Sequence, residues 1–435
     1  MSLNNSLLSW VDRNKESLIK LTQDLVRFDT TTPDPGAKPR QDKECQAYIA
    51  NVLRKLGFSV DQWEPDTDSL KDLPSYVPGQ SFRNRPLTVG VLKGKGGGKS
   101  LLMNAHVDTV PADPVDKWRH SPWDGEVEGD SLYGRGASDM KAGAAAMIKA
   151  LEAVRETKIE LKGDIILQFV LDEELNGMGT AACVRKGYRA DGAIIPEPTD
   201  LKVVLARRGL LYGKLTVRGR SAHAEVRQPH RLEGGAVNAI EKTVLLLNAL
   251  KELEADWQDR PDKRHKYLSY PNIVPTMISG GQFTCTYPEQ CELTFDAQYI
   301  RANADKTGWG SSVRQEIEDQ VQRACECDPW LRENPPTISW TQAFPPSEVD
   351  EHVPIVETLR SAAQDAVGFT PEFRGNDSSD DCSYLITTGG ISSVSFGPIP
   401  WSMAHAIDEY VSIESLVKTT KILALSVPRW CGVAR

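Results

Sequence analysis

In the stretch "LLMNAHVDTVP", His106 and Asp108 flank one apolar residue, so on an extended chain the imidazole and the carboxylate point to the same side. Groups of the same chemistry recur further on. Asp139 lies in "GRGASDMKAG", Asp172, Glu173 and Glu174 in "VLDEELNGMG", Glu197 in "IIPEPTD", and His405 in "WSMAHAIDEY". Any one of them alone reads as a solvated loop residue. Carboxylates brought to one place repel unless positive charge sits among them. Divalent cations supply that charge and use both imidazoles as ligands. These residue types therefore predict a metal centre, provided the fold gathers them.

The flanking sequence supplies the elements that would do so. "KSLLMNA", "DIILQFVL", "DGAII" and "ISSVSF" are strand-like, and "DMKAGAAAMIKALEAV" is an Ala-rich helix with Ser138 placed to cap it. Strands alternating with helices predict an α/β fold, a mixed sheet covered by helices. In open sheets of this kind the functional crevice lies at the carboxyl ends of the strands. From about Arg208 the order changes to β-α-β-β-α-β: "GLLYGKLTVRG", "GGAVNAIEKTVLLLNALKELE", "YPNIVPTMISGG", "QCELTFDAQYI", "SSVRQEIEDQVQRACE" and "TISWTQAF". That order is a ferredoxin-like split-sheet unit. It is expected to occupy residues 207–344, inserted between residues 1–206 and 345–435 of the first domain. The charged stretch "EADWQDRPDKRHK" reads as a solvated loop.

At 435 residues the chain is too long for one ordinary core, which agrees with two domains. A formal net charge of -9 argues against a nucleic-acid partner. The N-terminal "MSLNNSLLSWVDRNKESLIKLTQDLVRF" reads as an amphipathic helix, without a signal-peptide core, and no apolar run is long enough to span a membrane. The eight cysteines are scattered, and the one-residue spacing of Cys325 and Cys327 fits no common zinc or redox pattern. Reduced thiols and a cytoplasmic location are expected. His120, His230, His265 and His352 fall in none of the motifs above.

Taken in order, the His-x-Asp strand, "GRGASDMKAG", "DEELNGMG", "PEPTD", "GRSAHA" and "AHAIDEYVSI" make the chain resemble the dinuclear zinc-type amidohydrolases. That family includes acetylornithine deacetylase, succinyl-diaminopimelate desuccinylase, aminoacylase and glutamate carboxypeptidase. The resemblance implies two divalent ions, zinc foremost, with manganese, cobalt or iron also accepted by such ligands. His106, Asp139 and Glu197 would bind one ion, and Asp139, Glu174 and His405 the other, with Asp139 bridging. Asp108 would orient His106 and raise its basicity. Glu173 would be the general base, acting on a water acidified between the ions. His223, in "RGRSAHAEV", would stabilise the oxyanion from the inserted domain, which serves as lid and dimerisation domain. A homodimer and a small-molecule substrate follow, with hinges near Arg207 and Phe344 closing the lid.

Three positions depart from the family pattern. Gln298 stands where an Asp-x-Arg arginine is usual, Cys382 where a second arginine belongs, and Ala142 replaces a glycine. Arginine is the usual fork for a substrate carboxylate, so an N-acyl amino acid loses its standard clamps unless Arg207, Arg208 or Arg301 replaces them. Asn272, in "PNIVPT", matches a substrate-contacting asparagine. The expected activity is two-metal-dependent hydrolysis of a C–N (amide) bond in a small molecule, deacylase- or peptidase-like, on a small amide or amine whose polar groups differ in position from those of an acyl amino acid. Alternatives are removal of an amine from an aromatic ring, as in nitroanthranilate aminohydrolase, and a catalytically silent binding or dimerisation relative.

Overall fold

A computed structural model describes residues 3–434, which divide into two compact units. One comprises the chain up to Ala206, Glu348–Gly375 and the part from Asp380 onward. The other comprises Arg207–Ser347 with Asn376–Ser379.

The first unit is built on a sheet in which Ser59–Trp63, Leu87–Leu92, Ile165–Val170, Leu101–His106, Gly192–Ile195, Ser393–Ser395 and Val203–Arg207 lie side by side in that order. The four strands from Ile165–Val170 to Ser393–Ser395 are mutually parallel, and their neighbours run antiparallel, making the sheet mixed. The strands Leu101–His106 and Ile165–Val170 are buried at every position, as their largely apolar runs require of a sheet covered on both faces, and the buried Asn104 donates to Gln168 on the neighbouring strand at 3.0 Å. Parallel pairing puts the residues after these four strands at one edge. This is how segments far apart in sequence meet.

The Ala-rich helix begins at Ala142 and runs to Glu156, three residues later than its sequence pattern suggests. Asp139 and Met140 keep non-helical backbone angles, because the amides of Ser138 and Asp139 donate to the buried carboxylate of Glu409 at 2.8 and 3.0 Å. Ser138 does not cap the helix; its hydroxyl donates to the Pro400 carbonyl at 2.7 Å. Gly143 has a steric purpose here. A Cβ at that position would sit 2.0 Å from the Pro196 carbonyl, so glycine lets the helix start press against the turn that leads to Glu197. The N-terminal amphipathic pattern forms two helices, Leu3–Arg13 and Lys15–Val26, broken at Asn14, whose side chain turns back to the Trp10 carbonyl.

In the second unit Ile273–Gly280, Gln290–Tyr299, Gly209–Arg218 and Thr337–Phe344 form an antiparallel sheet in that order, with helices Ala239–Asp259 and Ser311–Cys327 as the two crossovers. This is the split-sheet order read from the sequence. Gln290–Tyr299 alternates strictly between buried and half-buried positions, as a strand with one covered face must. Asn238 caps the long helix through Oδ1, and the helix continues to Asp259, into the stretch read as a loop. Trp257 is the reason. Fully buried, it packs beneath the Lys263 ammonium, which is held by Glu316 at 2.7 Å.

Candidate active site

His106 ends its strand fully buried, and its Nε2 lies 3.0 Å from Asp139 Oδ1. The other oxygen of Asp139 faces His405 Nε2 at 3.5 Å, and His405 Nε2 lies 3.0 Å from Glu174 Oε2. Asp139 thus offers one oxygen to each imidazole. Glu197 Oε1 is 3.8 Å and Glu173 Oε2 3.9 Å from His106 Nε2. The five residues expected to bind metal are therefore together, with Glu173 among them. Ligand atoms of His106, Asp139 and Glu174 all lie within 4.8 Å of one another.

Burial pushes Glu173 and Glu197 well above the ordinary carboxylate range; His106 opposes the rise, and neighbouring carboxylates add to it. The hydrogen bond to Glu174 raises His405 to about 9. Burial disfavours a charged His106, but Asp139, Glu197 and Glu173 overcome it and raise its pKa. These are the signs of a cluster carrying more negative charge than it can hold alone. Glu197 Oε1 is buried without a hydrogen-bond partner. An oxygen-and-imidazole donor set with an orphaned buried oxygen and a two-faced carboxylate fits divalent cations well.

Asp108 holds the site differently from expectation. His106 Nδ1 is 3.1 Å from the backbone carbonyl of Asp108 and 3.7 Å from its carboxylate. The carboxylate instead accepts from the Thr32 hydroxyl at 2.7 Å and faces the amides of Glu173 and Glu174 at 3.4 and 3.3 Å. It joins the two acidic residues to the strand that bears His106.

Several supporting residues escaped the sequence reading. Arg135 Nη1 pairs with Glu409 at 2.6 Å, and the same guanidinium reaches the carbonyls of Pro111, His405 and Ala406. Glu409 and Arg135 thus tie the Asp139 segment to the His405 loop. Burial raises both Glu409 and Asp381 to about 7. Arg135 and Glu409 stand inside quoted motifs, and their mutual pairing was the missing signal. Cys382 is fully buried at the start of the short helix Cys382–Thr387.

In the second unit Arg208, 1% exposed, donates to Gln298 Oε1 and to the Tyr270 carbonyl, and its Nε lies 3.2 Å from Asp377. Gln298 in turn donates to Asp296 at 3.0 Å, and its amide N–H reaches the Asn272 carbonyl at 2.9 Å. The Asn272 and Asp296 Oδ1 atoms are buried acceptors without partners. Arg301 is exposed and lies outside this cluster, while Arg207 is buried. His223 is exposed, its Nδ1 accepting from the Glu225 amide at 3.2 Å.

Two imidazoles and several carboxylates at the ends of parallel strands, on a chain carrying a split-sheet insertion, define a metal-dependent hydrolase. Residues 102–428 match peptidase family M20/M25/M40, and the chain belongs to that family. It is 32% identical to N-formyl-4-amino-5-aminomethyl-2-methylpyrimidine deformylase of Bacillus subtilis (strain 168), over 98% of this chain and 97% of that protein. It is 28% identical to succinyl-diaminopimelate desuccinylase of Thioalkalivibrio sulfidiphilus, over 93% and 96% of the two chains. The dipeptidase Dug1p of Saccharomyces cerevisiae shares the fold, with a TM-score of 0.74 at 16% identity over 99% of each chain. The protein is an enzyme that hydrolyses an amide C–N bond, in a family whose chemistry uses divalent metal ions. Deformylase and desuccinylase relatives favour neither the aryl-amine nor the silent alternative. Among the described residues no helix is long and apolar enough to cross a membrane.

Proposed function

We propose that the protein removes a formyl or other short acyl group from an amine borne by an uncharged, N–H-rich scaffold such as an aminopyrimidine. The observation that carries this reading is the state of Arg208. Its two Nη atoms donate to Gln298 and the Tyr270 carbonyl, and its Nε faces Asp377, so its charge is directed to groups of this chain rather than to an α-carboxylate. Beside it, the unpartnered acceptors of Asn272 and Asp296 match a ligand that brings N–H donors. The deformylase relative's name describes a substrate of that kind.

His106, Asp139 and Glu197 are assigned to one ion and Asp139, Glu174 and His405 to the other, with zinc first and manganese or cobalt as substitutes. Bound there, the pair would acidify water and polarise the scissile carbonyl. Glu173 takes a proton from the attacking water and delivers it to the departing nitrogen. The acyl carbon keeps the water's oxygen while the C–N bond breaks, giving a carboxylic acid and the free amine. Asp108 holds the amides of Glu173 and Glu174. His223 donates to the developing oxyanion. Asn272, Gln298 and Arg208 shape the substrate pocket, whereas Arg301 has no support for a substrate role.

Residues 207–344 serve as lid and dimerisation domain, and the enzyme acts as a homodimer. The edge strand Ile273–Gly280 exposes Met277 and Ile278, and helix Ala239–Asp259 exposes Val244 and Leu245, an apolar surface suited to a second copy. All eight cysteines are free, in keeping with a reducing cytoplasm.

The test is turnover of N-formyl-4-amino-5-aminomethyl-2-methylpyrimidine against acyl amino acids such as acetylornithine, using metal-depleted and zinc- or manganese-reloaded protein. Metal-dependent release of formate alone supports the reading. Faster turnover of acids bearing an α-carboxylate would overturn it.

A further inference from the structure

Glu173 receives no side-chain hydrogen bond among the described residues, so its aim depends on the turn beneath it. That turn begins at Asp172, a non-glycine residue at φ +66° whose carbonyl accepts the amides of Asn176 and Gly177 at 2.9 and 2.7 Å. Such a conformation persists only where the surroundings over-determine it. Here they do. The Asp172 side chain is fully buried, with Arg85 Nη1 2.6 Å from one carboxylate oxygen and Gln80 Nε2 donating to the other. Arg85 is itself buried and anchored to Asp42 at 3.2 Å. Gln80 and Asn176 exchange side-chain amide hydrogen bonds at 2.7 and 3.1 Å, and Asn176 also reaches the Ser75 carbonyl at 2.9 Å.

On the other side Tyr384 donates its hydroxyl to the Asn176 carbonyl. Gly177, at φ +71°, leaves room for the Tyr384 ring, which a Cβ would meet at 2.1 Å. Gln80 and Arg85 come from the irregular stretch between Leu70 and Leu87, which none of the catalytic motifs covers. Its polar side chains are spent on the turn that carries Glu173 and Glu174.

We propose that Arg85, seconded by Gln80, is a positioning residue for the general base: Arg85 pairs with one oxygen of Asp172 while Gln80 holds the other, and together they set where the Glu173 carboxylate points. The inference rests on the assignment of Glu173 as the base. It separates a chain that merely keeps the acidic pair from one that keeps it aimed.

The experiment compares Arg85→Met, Arg85→Lys, Gln80→Met and Glu173→Gln in the metal-loaded full chain, with N-formyl-4-amino-5-aminomethyl-2-methylpyrimidine as substrate. Metal content and amide hydrogen exchange of residues 171–178 are measured on the same samples. Arg85→Met should lower kcat by about a hundredfold, with KM within about twofold, as a misplaced catalytic group does. Exchange should speed up within the turn but not in the strands of the second unit, and metal content should stay near wild type. Arg85→Lys should recover part of kcat, and Gln80→Met should show a weaker form of the same pattern. Wild-type kcat in Arg85→Met beside a dead Glu173→Gln would overturn the proposal, as would an unchanged exchange rate in the turn. Exchange rising throughout the molecule in all three clamp variants would overturn it in favour of a general role in folding. Turnover retained in Glu173→Gln would overturn the assignment of the base itself, and with it the purpose given to Arg85.

Discussion

At the scale of single residues, the two neighbouring glutamates are placed differently, as the proposed roles of base and ligand require. Glu173 and Glu174 are adjacent, yet only Glu174 pairs closely with an imidazole, to His405 at 3.0 Å, while Glu173 stays 3.9 Å from His106. Replacing Glu173 by Gln keeps the shape and removes the proton acceptor. Its kcat should fall by about three orders of magnitude, within the range of general-base losses. Bound metal measured by emission spectrometry should stay near wild type. Metal lost in that variant would mean that Glu173 is a ligand. The adjacency of the two glutamates was plain in the sequence, but which of them approaches an imidazole closely was decided only by the folded turn.

At the scale of elements, the Arg135–Glu409 pair ties the Asp139 segment to the loop bearing His405. Both side chains are almost wholly buried. Glu409→Ala would strand the guanidinium and free the amides of Ser138 and Asp139. Stability should drop by about 3–5 kcal/mol, as for other broken buried pairs, and metal affinity by about 10–100-fold, as when supporting residues are lost. Denaturant unfolding and metal titration would read the two effects separately.

Asp305 does a related job in the second unit. Burial alone would raise its pKa, but the hydroxyls of Ser311 and Thr307 and the amides of Trp309 and Thr307 hold it far below the usual carboxylate range. A depressed carboxyl stabilises the fold above its unfolded pKa of about 3.9 and loses that contribution as pH falls toward the folded value. Asp305→Asn should therefore unfold at lower denaturant than wild type at pH about 7. The gap should narrow at pH about 3, as the wild type begins to lose the same contribution. A gap that widened in acid would contradict the account.

At the scale of the whole molecule, the proposed dimer makes predictions for the apolar edge of the second unit and for His223. The exposed Met277 and Ile278 stand on an edge strand with no charge among Ile273–Gly280, beyond the irregularity at Pro275 that interrupts its pairing. Ile278→Lys should shift sedimentation from dimer toward monomer and cost most of the activity. Mixing inactive His223→Ala and Glu173→Gln chains should restore some turnover if His223 serves the partner's site. A fully active monomeric Ile278→Lys variant would refute both expectations.

The sequence by itself determined the fold class, the split-sheet order of the second unit and the imidazoles and carboxylates that gather in the first. Hydrophobic runs and alternation dictate strands, and parallel strands must bring their carboxyl ends to one edge. Local pattern could not settle what depends on partners distant in sequence. The helix after Asp139 starts late because Glu409, 270 residues on, takes the amides that would have begun it. The charged stretch after Leu253 continues as helix because Trp257 is buried, which no count of charges reveals. The Asp108 carboxylate lies nearer to the amides of the acidic pair than to the histidine beside it, which meets the Asp108 carbonyl instead. Arg208 spends its charge on Gln298 and nearby backbone, and the clamp on Asp172 comes from a stretch with no pattern of its own. Each of these was decided by the tertiary structure, because a buried polar group must find its partner in space, and the chain does not announce where that partner lies.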